Sequence, residues 1–170
     1  MRGHEGGRSR YEDCFFCAGR GYFVSHAHCD KVAQMRRYTT KHAKSGINAD
    51  LPAIECWENQ YPDYEVEIVI PEYTAICPKT GLPDFGVIQV NYVPDQWCLE
   101  LKSLKEYVTA YRNIGIFYEN AVNRILRDLV QACHPIRMKV RGEFTPRGGI
   151  QSRVEAQYPQ RIHRDSNGEE

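Results

Sequence analysis

The hydrophobic pattern of the chain changes its period twice between residues 64 and 158, and this change restricts the fold more than any other feature. Apolar and polar residues alternate from Tyr64 to Ile70, and β-branched and aromatic residues dominate from Phe85 to Val93. Both patterns predict β-strands. Because Pro71 is expected to end the first strand, we interpret the pair as a hairpin with a long loop.

Two segments with apolar residues at helical spacing follow, from Leu101 to Tyr111 and from Tyr118 to Cys133. Gly115 ends the first predicted helix and Pro135 follows the second, which are ordinary stop signals. Strand-like runs then return at residues 137–144 and 150–158, separated by a turn rich in Pro and Gly. The predicted order of elements is therefore ββααββ.

This order favours an α+β fold in which a four-stranded antiparallel sheet carries two helices on one face. A single subunit of this kind leaves the two edges of its sheet open, and natural sheets pair or cover such edges. We therefore expect a homo-oligomer in which subunits join edge to edge into rings, with ligand sites at the subunit interfaces.

The length of 170 residues suits one domain with an appendage. The first part of the chain is rich in Gly, Arg and His and has few periodic apolar positions. We predict an N-terminal extension at residues 1–57, a folded domain at 58–160 and a disordered tail at 161–170.

The extension contains cysteines and histidines close to the spacing of zinc ligands. The candidates are Cys14, Cys17, His26, His28 and Cys29. They match no named finger pattern. A small zinc knuckle and a disordered extension both remain open, and no other metal site is expected.

Charge and hydropathy exclude several classes of partner. Acidic and basic residues balance at 22 each, so no global field attracts a nucleic acid, and a small neutral ligand is the expected partner. The chain has no apolar run long enough for a membrane span and no apolar signal core. Seven cysteines are scattered along it, which favours reduced thiols and a cytoplasmic location.

The segment YTAICPKTGLPDF places a thiol, Cys77, after an apolar strand and a carboxylate, Asp84, across a loop with two prolines. A cysteine is an effective nucleophile only as thiolate, so its usual pKa of about 8.5 has to be lowered by a cation or by hydrogen-bond donors. Lys79 and nearby backbone amides are the candidates. If burial keeps Asp84 protonated, it can serve as proton donor. A buried packing cysteine is the alternative.

Three further groups could bind a ligand. Lys102 and Lys105 lie one turn apart in LELKSLKEY and could hold a phosphate, or form a solvated face. Glu100 and Glu119 lie near helix starts, where they could receive the N–H groups of a guanine-like base or simply favour the helix dipole. Arg147 precedes two glycines that could bind phosphate or form a hairpin turn.

Taken in order, the segments ICPKTGLPDF, ELKSLKEY, YRNIGIFYENAVNRIL and GEFTPRGGI resemble the QueF family of NADPH-dependent 7-cyano-7-deazaguanine reductases. The resemblance covers about residues 60 to 158. It implies the tunnelling fold in the short single-unit form that assembles as stacked rings. It also implies that two NADPH molecules reduce the nitrile to an aminomethyl group, a step toward queuosine.

The resemblance also implies roles for individual residues. Cys77 corresponds to the nucleophile that forms a covalent thioimide with the nitrile, and Asp84 to the proton donor. The implied substrate contacts are Leu99, Glu100, Leu101, Tyr118 and Glu119. The implied NADPH contacts are Lys102, Lys105, Arg147 and Gly148. Many members have His where this chain has Tyr118, which can still stack on a deazaguanine and donate a hydrogen bond.

Three alternatives remain. A QueF-like amidinotransferase would let ammonia attack the same thioimide, but it would have no use for an NADPH-binding stretch. A zinc-dependent cyclohydrolase of the same fold would need a histidine beside Cys77, and none lies between His42 and His134. A non-catalytic purine-binding module would bind its ligand equally well after Cys77→Ala.

Overall fold

The structure is a computed structural model that describes residues 38–160. Its helices and strands are α1 (Thr40–Ala43), β1 (Cys56–Glu58), β2 (Val66–Ile76), β3 (Pro83–Val93), β4 (Trp97–Leu99), α2 (Leu101–Ala110), a 3-10 turn (Tyr111–Asn113), α3 (Tyr118–Cys133), β5 (Arg137–Phe144) and β6 (Arg153–Tyr158). The α+β class and the ββααββ order of the long elements are confirmed.

The long strands form one antiparallel sheet in the order β2-β3-β5-β6, and the short strands β1 and β4 pair separately. One rung of the sheet shows the register: Ile68 lies opposite Val90, Val90 opposite Val140, and Val140 opposite Ala156. Opposed residues in antiparallel strands point to the same face. This apolar face is covered by the helices.

Strand β2 does not end at Pro71, as the sequence analysis predicted. It continues to Ile76, with a shift of register between Ile70 and Tyr73. The proline is tolerated because β2 is an edge strand, where a missing N–H at an irregularity removes no ladder bond. The strand therefore carries the chain directly to Cys77.

The core lies between the sheet and the helices α2 and α3. Helix α3 buries Val122, Ile125 and Leu129, and α2 buries Leu104 and Tyr107. The close approach of α3 to β5 depends on Gly142, because a Cβ atom there would lie 2.7 Å from Cγ2 of Val122.

The described end of the predicted extension packs against this core. Ala49, Leu51, Ile54 and Cys56 all contact buried core residues, and the buried Arg124 donates hydrogen bonds to the carbonyl oxygens of Gly46 and Ala49. The boundary placed after residue 57 stays a prediction. The zinc-ligand candidates Cys14, Cys17, His26, His28 and Cys29 and the tail at 161–170 lie outside the described residues.

No helix within residues 38–160 is long and apolar enough to cross a membrane.

Candidate active site

Cys77 lies on a tight loop between β2 and β3. Its backbone N–H donates to the carbonyl of Leu82 at 2.9 Å, and its carbonyl accepts from Gly81, also at 2.9 Å. The residue before it is held from the other side, because Ile76 exchanges backbone hydrogen bonds with Ile114 and Ile116. The thiol is partly exposed, so a ligand can reach it, and these backbone hydrogen bonds fix the position of Cys77.

The Cys77 thiol has a lowered pKa. Burial acts to raise that pKa, but hydrogen bonds from the Thr80 side chain and from the backbone amides of Thr80 and Lys79 outweigh it. The sequence analysis named Lys79 as a candidate for lowering this pKa. Its backbone amide does so, whereas its ammonium group lies 5.2 Å from the ring centroid of Tyr38. The loop backbone therefore favours the thiolate, the nucleophilic form.

Asp84 lies near the start of β3, opposite Ala75 of β2, and only 3% of its surface is exposed. Its Oδ1 accepts a hydrogen bond from the Tyr118 hydroxyl at 2.7 Å and pairs with Nη2 of Arg147 at 2.6 Å. The charge of Asp84 also acts to raise the pKa of the Cys77 thiol. Nucleophile and acid candidate thus belong to one cluster.

Tyr118 is the first residue of α3, and its ring stacks on Phe144 of β5 with centroids 3.8 Å apart. Burial, followed by the hydrogen bond to Asp84, raises the pKa of the Tyr118 hydroxyl to about 12. The hydroxyl is thus a neutral donor at physiological pH. The sequence analysis predicted that the Tyr118 hydroxyl donates a hydrogen bond, but not that Asp84 of the same chain is the acceptor.

Arg147 contacts Asp84, and its guanidinium also donates to the carbonyl of Pro83. Arg147 and Ile150 exchange backbone hydrogen bonds at 3.0 Å, and Gly148 between them has a positive φ of 56°. The glycines therefore form the hairpin turn. Contacts of Arg147 and Gly148 with a cofactor stay predictions.

The predicted substrate contacts near α2 have different environments. Leu99 is buried and Leu101 is 61% exposed. The Glu100 carboxylate caps α2: its oxygens accept from the backbone amides of Lys102 at 2.8 Å and Ser103 at 2.7 Å. These bonds, led by the one from Ser103, lower the pKa of Glu100. Each oxygen keeps a free lone pair for a ligand.

Lys102 and Lys105 are both exposed on α2. Lys105 lines a groove of about 340 Å³ between α2 and β2, together with Arg112 and an apolar floor that includes Ile70 and Val108. An apolar groove with two cations at its rim suits part of a phosphate-bearing nucleotide.

The structure thus brings Cys77, Asp84, Tyr118 and Arg147 together. In residues 38–160 no hydrogen bond or ion pair connects this cluster with Glu100, Lys102 or Lys105. Glu119 is exposed in the first turn of α3. Within the same range no group of three or more His, Cys, Asp or Glu side chains is placed to hold a metal ion.

Comparison with known proteins gives consistent matches. A family model described as "QueF-like protein" matches residues 83–163. The NADPH-dependent 7-cyano-7-deazaguanine reductase of Elusimicrobium minutum is 59% identical over 122 residues, which cover 71% of this chain and 92% of the relative. The protein of the same name from Chlorobaculum tepidum is 61% identical over 107 residues, covering 62% of this chain and 92% of the relative.

The crystal structure of the archaeosine synthase QueF-Like in the apo form superposes with a TM-score of 0.54 at 23% identity, over 57% of this chain and 95% of that chain. At this identity the likeness concerns the fold, and it confirms the expected tunnelling fold.

Proposed function

The chain belongs to the QueF family, and from this premise we propose that it is an NADPH-dependent reductase that converts the nitrile of 7-cyano-7-deazaguanine into an aminomethyl group. The observation that carries the proposal is the presence, in one cluster, of a Cys77 thiol of lowered pKa and the buried carboxyl group of Asp84. The names of the related proteins supply the substrate and the reductant.

The first step is addition of the thiol to the nitrile. The thiolate sulfur of Cys77 forms a bond to the electrophilic carbon, one π bond of the nitrile breaks, and the nitrogen takes a proton from Asp84. The product is a thioimide on Cys77. No oxidation or reduction occurs in this step, so it needs no NADPH.

When bound, NADPH would supply one hydride in each of two later steps. After the first hydride and a proton are added to the thioimide, the C–S bond would break, the thiolate of Cys77 would leave with the bonding electrons, and a protonated imine would remain. The second hydride would then give the amine without a further proton. The balance is one nitrile, two NADPH and two protons for one amine and two NADP⁺.

The exposed side chains of α2 support the NADPH assignment. Lys102 and Lys105 offer ammonium groups to the phosphates, and Lys105 lies at the rim of the groove between α2 and β2. Glu119 is accessible to the N–H groups of the deazaguanine, with Leu99, Glu100 and Leu101 as further contacts. Tyr118 contributes through Asp84.

We further propose that the working form is a homo-oligomer with sites at subunit interfaces. The sheet ends in β2 and β6, and apart from the bridge between Ile76 and Gly115 no strand within residues 38–160 pairs with their outer edges. Val69 of β2 is 50% exposed. Pairing of such edges between subunits would cover them. Native mass spectrometry that finds only the 19.7 kDa monomer would refute this part.

The decisive experiment measures NADPH absorbance after protein is mixed with 7-cyano-7-deazaguanine, beside Cys77→Ala. We expect two NADPH consumed per substrate and no turnover by the variant. A covalent adduct on Cys77 that ammonia rather than NADPH resolves would identify an amidinotransferase instead. Equal ligand binding by both proteins without turnover would identify a purine-binding module.

A further inference from the structure

The two oxygens of Asp84 have different surroundings. Oδ1 pairs with Nη2 of Arg147 at 2.6 Å and accepts from the Tyr118 hydroxyl at 2.7 Å. Within the described part of the chain Oδ2 accepts no hydrogen bond, although only 3% of the surface of Asp84 is exposed. Asp84 is the residue that transfers a proton to the substrate in the proposed function, so the difference between its two oxygens bears on that step.

We propose that Arg147 is a positioning residue for the acid: together with Tyr118 it holds Oδ1 of Asp84, so that Oδ2 is the oxygen that delivers the proton to the substrate nitrogen. This inference rests on the proposed function and deepens it. It gives Arg147 a role in the chemical step that is separate from any contact with NADPH.

The valence of a carboxyl oxygen supports this choice of atom. A carboxylate oxygen has two lone pairs in the plane of the group. At Oδ1 one lone pair accepts from the Tyr118 hydroxyl, and the cationic Nη2 of Arg147 lies 2.6 Å away as an ion pair. Oδ1 is thus engaged by a donor and a cation, which leaves Oδ2 to face the substrate, and exchange of the two oxygens by rotation of the side chain would break the hydrogen bond and the ion pair.

The side chain of Arg147 is 42% exposed but contacts the start of β3 at two points. Its guanidinium also donates to the carbonyl of Pro83, the residue before Asp84, so it spans main chain and side chain of adjacent residues. The backbone of Arg147 is closed in a tight turn with Ile150. Both contacts are made by Nη2, so they depend on one cationic nitrogen donor.

The experiment is thioimide formation without NADPH, because this step uses Cys77 and Asp84 and no cofactor. Protein is mixed with 7-cyano-7-deazaguanine, quenched at intervals and examined by intact-mass spectrometry. We expect Arg147→Met to slow adduct formation about tenfold or more, and Arg147→Lys, which keeps one cationic nitrogen donor, to recover much of the rate. Arg153→Met, which removes an exposed arginine of β6 paired with Glu143, is the control and should react like the wild type.

The alternative is that Arg147 binds only a phosphate of NADPH. In that case Arg147→Met forms the adduct at the wild-type rate while its KM for NADPH rises, and the inference is overturned. Should Arg147→Met fail to fold, Arg147→Ala decides by the same comparison, since a wild-type rate of adduct formation would equally refute the role. If the wild-type protein itself forms no adduct, the proposed function fails first and the inference falls with it.

Discussion

At the scale of single residues, the site separates into a nucleophile activated by its own loop and an acid held by distant residues. Hydrogen bonds from Thr80 and Lys79 act on Cys77, and both are sequence neighbours. Tyr118 and Arg147 act on Asp84. The sequence therefore allowed the thiol loop to be predicted, but not the pairing of Arg147 with Asp84, which depends on the closure of the sheet.

The lowered pKa of Cys77 predicts a selective reaction with iodoacetamide. Only the thiolate reacts, so the rate should rise with pH and reach half its maximum below the pKa of an ordinary thiol. Burial raises the pKa of Cys133 to about 12 and also raises that of Cys56. Cys77 should therefore be labelled before Cys56 and Cys133, as measured by peptide mass spectrometry across pH.

Removal of the Thr80 hydroxyl in Thr80→Val takes a hydrogen bond from the thiolate, so the midpoint of this labelling curve should move to higher pH. Thr74→Val is the control, because the Thr74 hydroxyl donates to the carbonyl of Glu72 instead. An unchanged midpoint for Thr80→Val would show that its side chain does not act on the thiol.

Tyr118 provides a second test at this scale. Tyr118→Phe keeps the ring that stacks on Phe144 but removes the donor to Asp84. We expect kcat to fall roughly tenfold with little change in the KM for NADPH. Tyr118→His restores a ring with an N–H donor and should retain most of the activity. Equal steady-state rates for Tyr118→Phe and wild type would contradict the role of the hydroxyl.

At the scale of elements, periodicity identified every long strand and helix within residues 38–160, because each has one buried face. Periodicity did not identify elements that are too short to show a period, or element ends that depend on tertiary contacts. The three-residue strands β1 and β4 are too short to show a period. The passage of β2 through Pro71 depends on its position at the sheet edge, and the position of a strand in a sheet is a tertiary property.

Helix α2 offers a test of the cofactor assignment. Lys105→Ala removes an ammonium at the rim of the groove between α2 and β2, so we expect the KM for NADPH to rise several-fold, since a phosphate contact typically involves a charge-assisted hydrogen bond. Thioimide formation without NADPH should not change. Lys139→Ala, which removes a partner of Glu155, is the control, and a rise in KM of the same size there would indicate a non-specific charge effect.

At the scale of the whole molecule, Arg124 joins the segment before β1 to the helical layer. It is 7% exposed, pairs with Asp128 and donates to the carbonyls of Gly46 and Ala49. Sequence patterns do not reveal this connection, since a lone arginine on a helix face is ordinarily solvated.

We expect Arg124→Met to lower the free energy of unfolding by about 3 kcal/mol, because it leaves the carbonyl groups of Gly46 and Ala49 without their donor and removes the buried cation beside Asp128. Urea titration measures the change. Arg127→Met is the matched control: Arg127 pairs with the same Asp128 but is 55% exposed, so its loss should change stability by less than about 1 kcal/mol. Equal losses for the two variants would show that Arg124 has no special structural role.

The residues that act on Cys77 lie close to it in sequence, whereas those that act on Asp84 lie far from it. This difference has a consequence under partial denaturation. The bonds that activate Cys77 come from Lys79 and Thr80, whereas Arg147 reaches Asp84 only when β3, β5 and the following turn are assembled. If the turn around Arg147 opens first as denaturant increases, Asp84 loses its ion pair while the loop still holds a thiolate. We expect such a partly opened molecule to react more slowly with the nitrile but to remain susceptible to alkylation and oxidation.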